Sequence, residues 1–290
     1  DAKEKLWRSL LEQARAERRT GEAGQRHRAL EAITRAAAIR PSPELRHEAL
    51  AALVLPDVRF VPLWTNPYPV FVTAFSPSLT RFAVASPNSG RLKVFRAEDA
   101  REEIVFSAVG GLAQRFHFSP DERYLAASYS TRSNVVWETA TQRPVLSWGP
   151  GVHSEFTPDS RRLLAADDSG LLRCVSLPDG RELWRRQASP HLWVPRVQPQ
   201  QKYFAMHGDE ERSVELRNLE SGELVRTLAH SSPLGTLTWS RDGKYLVVGV
   251  ENGWMYAWEV DSEAEPESWK GHDDNVVALA FAPAGEWLAS

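Results

Sequence analysis

The sequence predicts an all-β repeat protein that begins with a short α-helical arm. One short sequence motif, called the phrase below, occurs six times, and its copies begin 38 to 43 residues apart. A period near forty is typical of stacked supersecondary units. Apolar residues at helical spacing before residue 56 predict the arm. The copies of the phrase begin at Phe75, Phe118, Phe156, Val197, Trp239 and Phe281.

The arm, residues 1–56, is expected to contain about three helices. Its first apolar stripe repeats at three- and four-residue spacing and includes Leu6, Trp7 and Leu10. Ser42 followed by Pro43 is typical of a helix N-terminus, because serine caps free N–H groups and proline suits the first turn. The third helix, which begins there, is expected to turn four residues inward: Leu45, Ala49, Leu50 and Leu53.

Each phrase predicts the end of one strand, a tight turn and the start of the next strand. In the second copy, Pro120 and Asp121 suit the turn, and the apolar run Tyr124–Ala127 suits a strand buried on both faces. Two more strand patterns follow before the next phrase. Four strands in about forty residues is typical of a β-propeller blade. Residues 57–290 are therefore expected to form five complete four-stranded blades and a truncated sixth.

The two ends of the chain suggest a piece of a longer protein. The chain begins at Asp1 rather than at Met, and the sixth copy stops at Ser290, where its second strand has barely begun. The propeller is therefore expected to be incomplete at its C-terminus and to leave strand edges exposed. The segment Val58–Trp64 is predicted to be the strand that helps to close the ring.

Two segments of the blades resemble the WD-repeat family. Ser268–Pro283 is similar to the Gly-His start of a blade in that family, and Gly253–Glu259 is similar to its strand ending in Trp-Asp. The resemblance covers residues 60–290 and implies a WD-like β-propeller that binds a protein or peptide on its loop face. The blades are expected to rely more on apolar packing than the family does, because other residues replace the family's Asp: Arg96, Glu138, Ser176, Asn218 and Glu259.

The arm contains four notable segments: Leu10–Ala16, Gly24–Ile33, Ala36–Ala49 and Leu53–Asp57. Together they resemble the segment that joins a membrane helix to the propeller in large bacterial serine/threonine kinases with WD repeats. This resemblance implies a kinase domain and a membrane span upstream of Asp1, with a sensor or scaffold role for this region. The printed sequence has no glycine-rich loop, His-Arg-Asp or Asp-Phe-Gly motif, so this piece is not expected to be an enzyme. The alternative is a stand-alone cytoplasmic WD-repeat scaffold.

Composition narrows the classes of function. A net charge of −3 without a basic stripe argues against nucleic-acid binding. The sequence has no run of about 18 apolar residues and therefore predicts no membrane span. It also has no His or Cys spacing that is typical of a metal site. The single Cys174 lies in an apolar run and is expected to be buried. No cofactor is expected, and the domain is expected either in the cytoplasm or in the extracytoplasmic part of a membrane-anchored bacterial protein.

An enzyme-class alternative comes from Leu177–Trp184, which resembles the Asp-x-x-x-Gly-x-x-x-Trp phrase of quinoprotein-type propellers. Those propellers hold a redox cofactor on their axis. Here the spacing from Asp179 to Gly180 is shorter, and the other blades do not repeat the phrase well. The quinoprotein-like redox propeller therefore ranks below the scaffold.

Candidate partner-binding residues lie in the connections that lead into new blades, where propellers present one binding face. His272 is interpreted as a structural histidine of the blade, whereas His117, between Phe116 and Phe118, suits burial and function equally. The predicted partner-binding residues are His191, Trp193, His230, Asp273 and Asn275.

Overall fold

The computed structural model describes residues 2–22, 24–55, 73–86, 89–107, 109–149, 153–167, 169–188, 195–208, 212–282, 285 and 287–290. The chain divides into two compact units, Asp1–Thr65 and Asn66–Ser290. The predicted domain boundary after residue 56 and the predicted closing strand Val58–Trp64 lie outside the described residues. So do His191 and Trp193.

The first unit contains three helices in its described part: α1 (Ala2–Glu17), α2 (Gln25–Ile39) and α3 (Pro43–Leu53). Their shared apolar cluster includes Trp7 of α1, Ile33 of α2 and Leu45 of α3. The Ser42 Oγ accepts a hydrogen bond from the backbone N–H of Leu45 at 3.3 Å, so the predicted N-terminal cap of α3 is confirmed.

Three leucines predicted to face inward are instead exposed. The exposed fraction is 51% for Leu6, 54% for Leu50 and 56% for Leu53. Helix α3 buries Leu45 and Ala52, which lie two turns apart on one narrow stripe. Leu50 and Leu53 lie outside that stripe. The prediction of a wide apolar face was wrong because a helix that packs mainly on one neighbour needs only a narrow one.

The described part of the second unit forms five four-stranded antiparallel sheets and one two-stranded sheet, numbered here as blades 1 to 6 in chain order. In each complete blade the strands are hydrogen-bonded in chain order. The predicted architecture of helices followed by five complete blades and a partial sixth is confirmed. Blades 1 to 3 contain β1 (Thr73–Phe75), β2 (Arg81–Ala85), β3 (Leu92–Arg96), β4 (Glu102–Phe106), β5 (Ala113–Phe118), β6 (Tyr124–Tyr129), β7 (Asn134–Glu138), β8 (Pro144–Trp148), β9 (His153–Phe156), β10 (Arg162–Ala166), β11 (Leu171–Ser176) and β12 (Glu182–Gln187).

Blades 4 to 6 contain β13 (Arg196–Val197), β14 (Tyr203–His207), β15 (Ser213–Asn218), β16 (Leu224–Ala229), β17 (Leu234–Trp239), β18 (Tyr245–Val250), β19 (Trp254–Glu259), β20 (Glu267–Lys270), β21 (Ala280–Phe281) and β22 (Leu288–Ala289). The first strands of successive blades approach one another: β1 lies near β5, β13 lies between β9 and β17, and β17 lies near β21. They are the innermost strands of the propeller, and the space that they enclose is called the channel below.

The repeated phrase builds the same turn in each complete blade. In blade 2 the backbone N–H of Ser119 donates to the carbonyl oxygen of Tyr124 at 2.9 Å. The backbone N–H of Tyr124 donates in return to the Ser119 hydroxyl at 2.9 Å, and that hydroxyl donates to Asp121 at 2.6 Å. The fifth residue of every copy has a left-handed backbone: Leu79, Glu122, Ser160, Gln201, Gly243 and Gly285.

Apolar side chains fill the spaces between neighbouring blades. Phe106 of blade 1 and Trp137 of blade 2 lie in one cluster, with ring centroids 5.4 Å apart. Trp184 of blade 3 stacks on Phe204 of blade 4 at 6.0 Å. Cys174 is buried in the cluster that contains Trp184 and Phe204, as its apolar run predicted.

Candidate functional site

The channel contains two adjoining cavities of about 510 and 220 Å³. Both are lined by Glu155 of β9 and Arg196 of β13. The smaller cavity is also lined by Arg115 and His117 of β5, and the larger by residues of β17 and of the segment that precedes β21. Side chains from three neighbouring blades therefore meet at one place.

Position within the repeat explains why these side chains face the channel. His117, Glu155 and Arg196 each stand immediately before the first residue of a phrase. Since side chains alternate along a strand, the phrase residues Phe118 and Phe156 enter the blade interfaces, where both are buried. The residue before each of them points the other way. This register could have been read from the sequence by aligning the phrases and examining the preceding position.

Burial and the charge of Arg196 shift the pKa values of Glu155 and His117 in the channel. The Nη1 of Arg196 lies 3.5 Å from the Oε2 of Glu155 and links blade 4 to blade 3. Burial raises the pKa of Glu155 to about 7, although the charge of Arg196 acts in the opposite direction. Burial lowers the pKa of His117 to about 4, and Arg196 adds to that effect. Near neutral pH, His117 is therefore neutral and Glu155 is partly protonated.

Two hydrogen-bonding groups of the channel have no protein partner within the described ranges. The Nε2 of His117 is buried without a hydrogen bond, while the ring packs edge-on against Phe156 at 5.1 Å. The guanidinium of Arg115 forms no ion pair there, and its residue is exposed. Buried polar atoms are normally satisfied, so the His117 nitrogen points to a group that the chain does not itself supply.

The predicted partner-binding residues lie elsewhere, in the connections from the last strand of one blade to the first strand of the next. We call these connections the loop face. Asp273 and Asn275 are exposed between β20 and β21. His230, between β16 and β17, is only 8% exposed, and its Nδ1 lies 2.7 Å from the carbonyl oxygen of Ser232. Of these three, Asp273 and Asn275 are the ones directly open to a partner.

Next to His230 the structure places residues that the sequence analysis missed. The Tyr256 hydroxyl donates to the Ser231 hydroxyl at 2.7 Å, and the Tyr256 ring lies 6.3 Å from the His230 ring. Tyr256 also stacks on Trp258 at 5.7 Å. The alternation of aromatic residues in β19 was the available signal, because positions two apart lie on the same face of a strand.

The loop that carries Asp273 and Asn275 is held against blade 5. The backbone N–H groups of Gly271 and His272 both donate to the carbonyl oxygen of Gly253, at 3.1 and 3.2 Å. Gly253 has φ +82, and a Cβ there would collide with the carbonyl oxygen of His272. At the other end of the loop, Val276 is buried and its N–H donates to blade 5.

The phrase that suggested a quinoprotein is used in blade packing. The indole N–H of Trp184 donates to the carbonyl oxygen of Leu219 in blade 4 at 3.0 Å, and the ring is buried. Asp179 accepts a hydrogen bond from the Ser176 hydroxyl within its own turn. Both side chains therefore take part in contacts of the blades and not of the channel.

Two kinds of feature are absent from the described part of the chain. No three or more His, Cys, Asp or Glu side chains are arranged there to hold a metal ion. None of the helices described here has both the length and the apolar character needed to cross a membrane.

Comparison with known proteins identifies the type of repeat. The family described as "WD domain, G-beta repeat" matches residues 222–259 and 265–290. The propeller is WD-like. Each matched repeat begins near the outermost strand of one blade, β16 or β20, and continues into the next blade. A WD repeat in this chain therefore covalently joins two neighbouring blades.

Curated relatives match parts of the chain. The Protein LST8 homolog of Drosophila melanogaster is 28% identical over 137 residues, which is 43% of each protein. Protein HIR1 of Kluyveromyces lactis is 25% identical over 252 residues, 71% of this chain and 28% of that protein. Transcription initiation factor TFIID subunit 5 of Caenorhabditis elegans is 20% identical over 143 residues, 49% and 22% respectively. The chain thus spans less than half the length of these relatives.

Proposed function

We propose that this chain is a non-catalytic scaffold that captures a protein or peptide on the loop face of its WD-like propeller. The observation that carries the proposal is the loop between β20 and β21, which exposes Asp273 and Asn275 while both of its ends are tied to blade 5. A loop held in one conformation loses little entropy when a partner binds. By its name, the TFIID relative is a subunit of a larger assembly, which agrees with this role.

The chemistry of the loop face favours a partner with hydrogen-bond donors and an apolar side chain. Asp273 accepts hydrogen bonds and attracts cationic groups, and the Asn275 amide both donates and accepts. The ring of Tyr256, which is partly exposed, adds apolar surface close to its hydroxyl group. His191 and Trp193, in the connection before β13, belong to the same proposed surface through their position in the repeat.

The finer proposal is that the scaffold belongs to a larger bacterial serine/threonine kinase whose kinase domain lies upstream. The resemblance of the helical arm supports this context, and a stand-alone cytoplasmic scaffold is its alternative. The coding sequence upstream of Asp1 distinguishes them: a kinase domain with a membrane span supports the first, and neither feature supports the second. The chain by itself is expected to show no phosphotransfer, and ATP-dependent turnover by the purified chain would overturn the non-catalytic role.

A peptide selection tests the scaffold role directly. Peptides selected from a random displayed library on the purified chain are expected to lose about tenfold or more in affinity when Asp273→Ala and Asn275→Ala are combined. Glu263→Ala is the matched control, because Glu263 is exposed in the connection between β19 and β20, away from the loop face. Selected peptides that bind the double variant as tightly as the unaltered chain, or a library that yields no binder, would count against the proposal.

A further inference from the structure

We propose that the channel is a binding site for an oxyanion, a carboxylate or phosphate group, held between the first strands of blades 2, 3 and 4. The site contains neither Asp273 nor Asn275 of the loop face, so it stands independently of the proposed scaffold function. Its parts are two guanidinium groups, a buried imidazole nitrogen and a carboxyl group, all lining one cavity of about 220 Å³.

The two cations supply the attraction. Arg115 extends from β5 and Arg196 from β13, and both line the smaller cavity. The Arg115 guanidinium has no ion-pair partner in the described part of the chain, and Arg196 makes only a long contact of 3.5 Å with Glu155. Guanidinium groups present parallel N–H donors that match the two oxygens of a carboxylate or phosphate. The pair therefore has donors available for an added anion.

The imidazole of His117 is the second, independent sign of a ligand. Its Nε2 is buried beside the same cavity and lacks a hydrogen-bond partner in the described structure. In the tautomer that carries the proton on Nε2, this atom donates to an oxygen placed in the cavity. An anion at this point would satisfy a nitrogen that is otherwise left without a hydrogen bond.

The adjoining cavity accommodates the rest of the ligand. Its volume of about 510 Å³ falls within the range of small-molecule sites, roughly 300–1,000 Å³. Thr236 and Thr238 of β17 line it with hydroxyl groups, and Val277 and Leu279 provide apolar wall. This combination suits the stem of an acidic peptide side chain as well as a free small anion.

Glu155 makes the site dependent on pH. Its ionised carboxylate repels an anion, whereas its protonated form donates a hydrogen bond to one. The other charged or titratable groups that face it are Arg115 and His117 from β5, and Arg196 from β13. Of these, His117 has a pKa of about 4, so its imidazole stays neutral from pH 6 to pH 8. The lining residues of β17 and of Val277–Leu279 do not titrate. Binding should therefore tighten as the pH falls through about 7, by at most about tenfold per pH unit for one proton.

Calorimetric titration of the full chain with sodium sulfate at pH 6 and pH 8 tests the site. Sulfate keeps its charge over this range, so any pH dependence belongs to the protein. Sulfate is expected to bind more tightly at pH 6, and Arg196→Gln or Arg115→Gln should weaken it by about tenfold. Arg143→Gln, which removes an exposed charge next to β8, is the matched control and should leave binding unchanged. Circular dichroism verifies that each variant is folded.

The Glu155→Gln variant isolates the pH effect. This variant should bind sulfate at pH 8 about as well as the unaltered chain does at pH 6, with little dependence on pH. Retention of the full pH dependence in Glu155→Gln would overturn the role of this carboxyl group.

A second titration identifies the source of the anion. Hexaglutamate is compared with hexaglutamine, a peptide of the same length without charge. Hexaglutamate that binds or competes with sulfate supports an acidic peptide, and binding of sulfate alone supports a free small anion. The proposal fails if neither probe binds at pH 6, or if binding survives both arginine variants. Asp273→Ala should not affect sulfate binding, so failure here is distinguishable from failure of the scaffold proposal.

Discussion

The helical unit and the blades are stabilised in different ways. The described helices share one apolar cluster, with Trp7 near its centre and alanines of α2 around it. The blades have several clusters between neighbouring sheets, and polar contacts repeat from one blade to the next. A single local core depends on a few large residues, whereas a repeat array distributes its stability over similar interfaces.

The polar contacts between blades use the fifth residue of the phrase. The Glu122 carboxylate accepts from the backbone N–H of Ser78 at 2.8 Å and from Arg81 at 2.7 Å, both in the preceding blade. The Ser160 hydroxyl accepts from the backbone N–H of Asp121 in the same direction at 3.1 Å. These contacts link neighbouring blades in a chain that lacks the Asp residues of the WD pattern.

The largest expected effect is in the helical unit. Trp7→Ala removes a buried ring, its hydrogen bond of 2.8 Å to the carbonyl oxygen of Arg40 and the Arg40 guanidinium stacked 4.2 Å from the ring centre. Loss of a buried tryptophan costs about 3–5 kcal/mol in the free energy of unfolding. Thermal melting followed by far-UV circular dichroism should show early loss of the helical signal while the strand signal persists. Leu53→Ala, at an exposed position of the same unit, should cost less than about 0.5 kcal/mol; an equal loss would mean that the buried face of α3 is misassigned.

In the blades, the largest expected effect is at Gly253. Gly253→Ala forces a methyl group against the His272 carbonyl oxygen and holds alanine at a left-handed φ. We expect a loss of about 2–4 kcal/mol in denaturant unfolding followed by tryptophan fluorescence. Gly149→Ala is the control, since a Cβ at Gly149 meets nothing within 4 Å. Equal stabilities of the two variants would show that the loop after β20 is not held by Gly253.

The contact of Glu122 with blade 1 should be visible as a dependence of stability on pH. Burial disfavours the charge, but hydrogen bonds from Ser78 and Arg81 outweigh it and lower the pKa of Glu122 to about 2. Because the folded pKa lies below the ordinary value of about 4.3, the stabilisation is present above pH 4.3 and is lost as the pH falls toward 2. Glu122→Gln should therefore cost about 1–3 kcal/mol at pH 6 and little at pH 2.

Denaturant unfolding of the Glu122→Gln variant at several pH values measures this difference. Glu263→Gln, at an exposed carboxylate, is the matched control and should run parallel to the unaltered chain. A constant difference for Glu122→Gln from pH 6 to pH 2 would contradict an ionic contact between the blades.

The smallest expected effect is at Ser160, where two terms oppose each other. Ser160→Gly removes the hydroxyl that accepts from Asp121, but it also removes the cost of a non-glycine residue at φ 60. The net change in the free energy of unfolding should stay within about 1 kcal/mol. Ser160→Ala keeps the backbone cost and loses the hydroxyl, so it should be the less stable of the two in the same denaturation assay. Since both variants lack the hydroxyl, the reverse order would show that the left-handed backbone at this position is not costly for a non-glycine residue.

The sequence predicted the turn of the phrase well because its hydrogen bonds are local. Ser119, Asp121 and Tyr124 lie within six consecutive residues, so residue type alone indicates which groups can meet. The capping of α3 by Ser42 was predictable for the same reason. The exposure of Leu50 and Leu53 was not, because apolar spacing shows which residues share a face but not how wide a neighbour covers it.

The two candidate sites differ in the same way, in how far they could be predicted from local sequence. Asp273 and Asn275 could be proposed from the sequence because a connection between blades is a local pattern, and both residues are exposed in the structure. Arg115, Glu155 and Arg196 belong to different blades, and more than 80 residues separate the first of them from the last. Aligning the phrases shows that Glu155 and Arg196 occupy the same position in the repeat, but no local pattern indicates that they line one cavity with Arg115.

The sequence by itself therefore determined the period, the blades and the turns, because each depends on contacts within about forty residues. Only the tertiary structure decided which side chains of different blades meet, which leucines are covered and which polar atoms of the channel are left without a partner. Those outcomes depend on how the strands of successive sheets are brought together, and burial then shifts the pKa of groups such as Glu155 that would be ordinary in an extended chain.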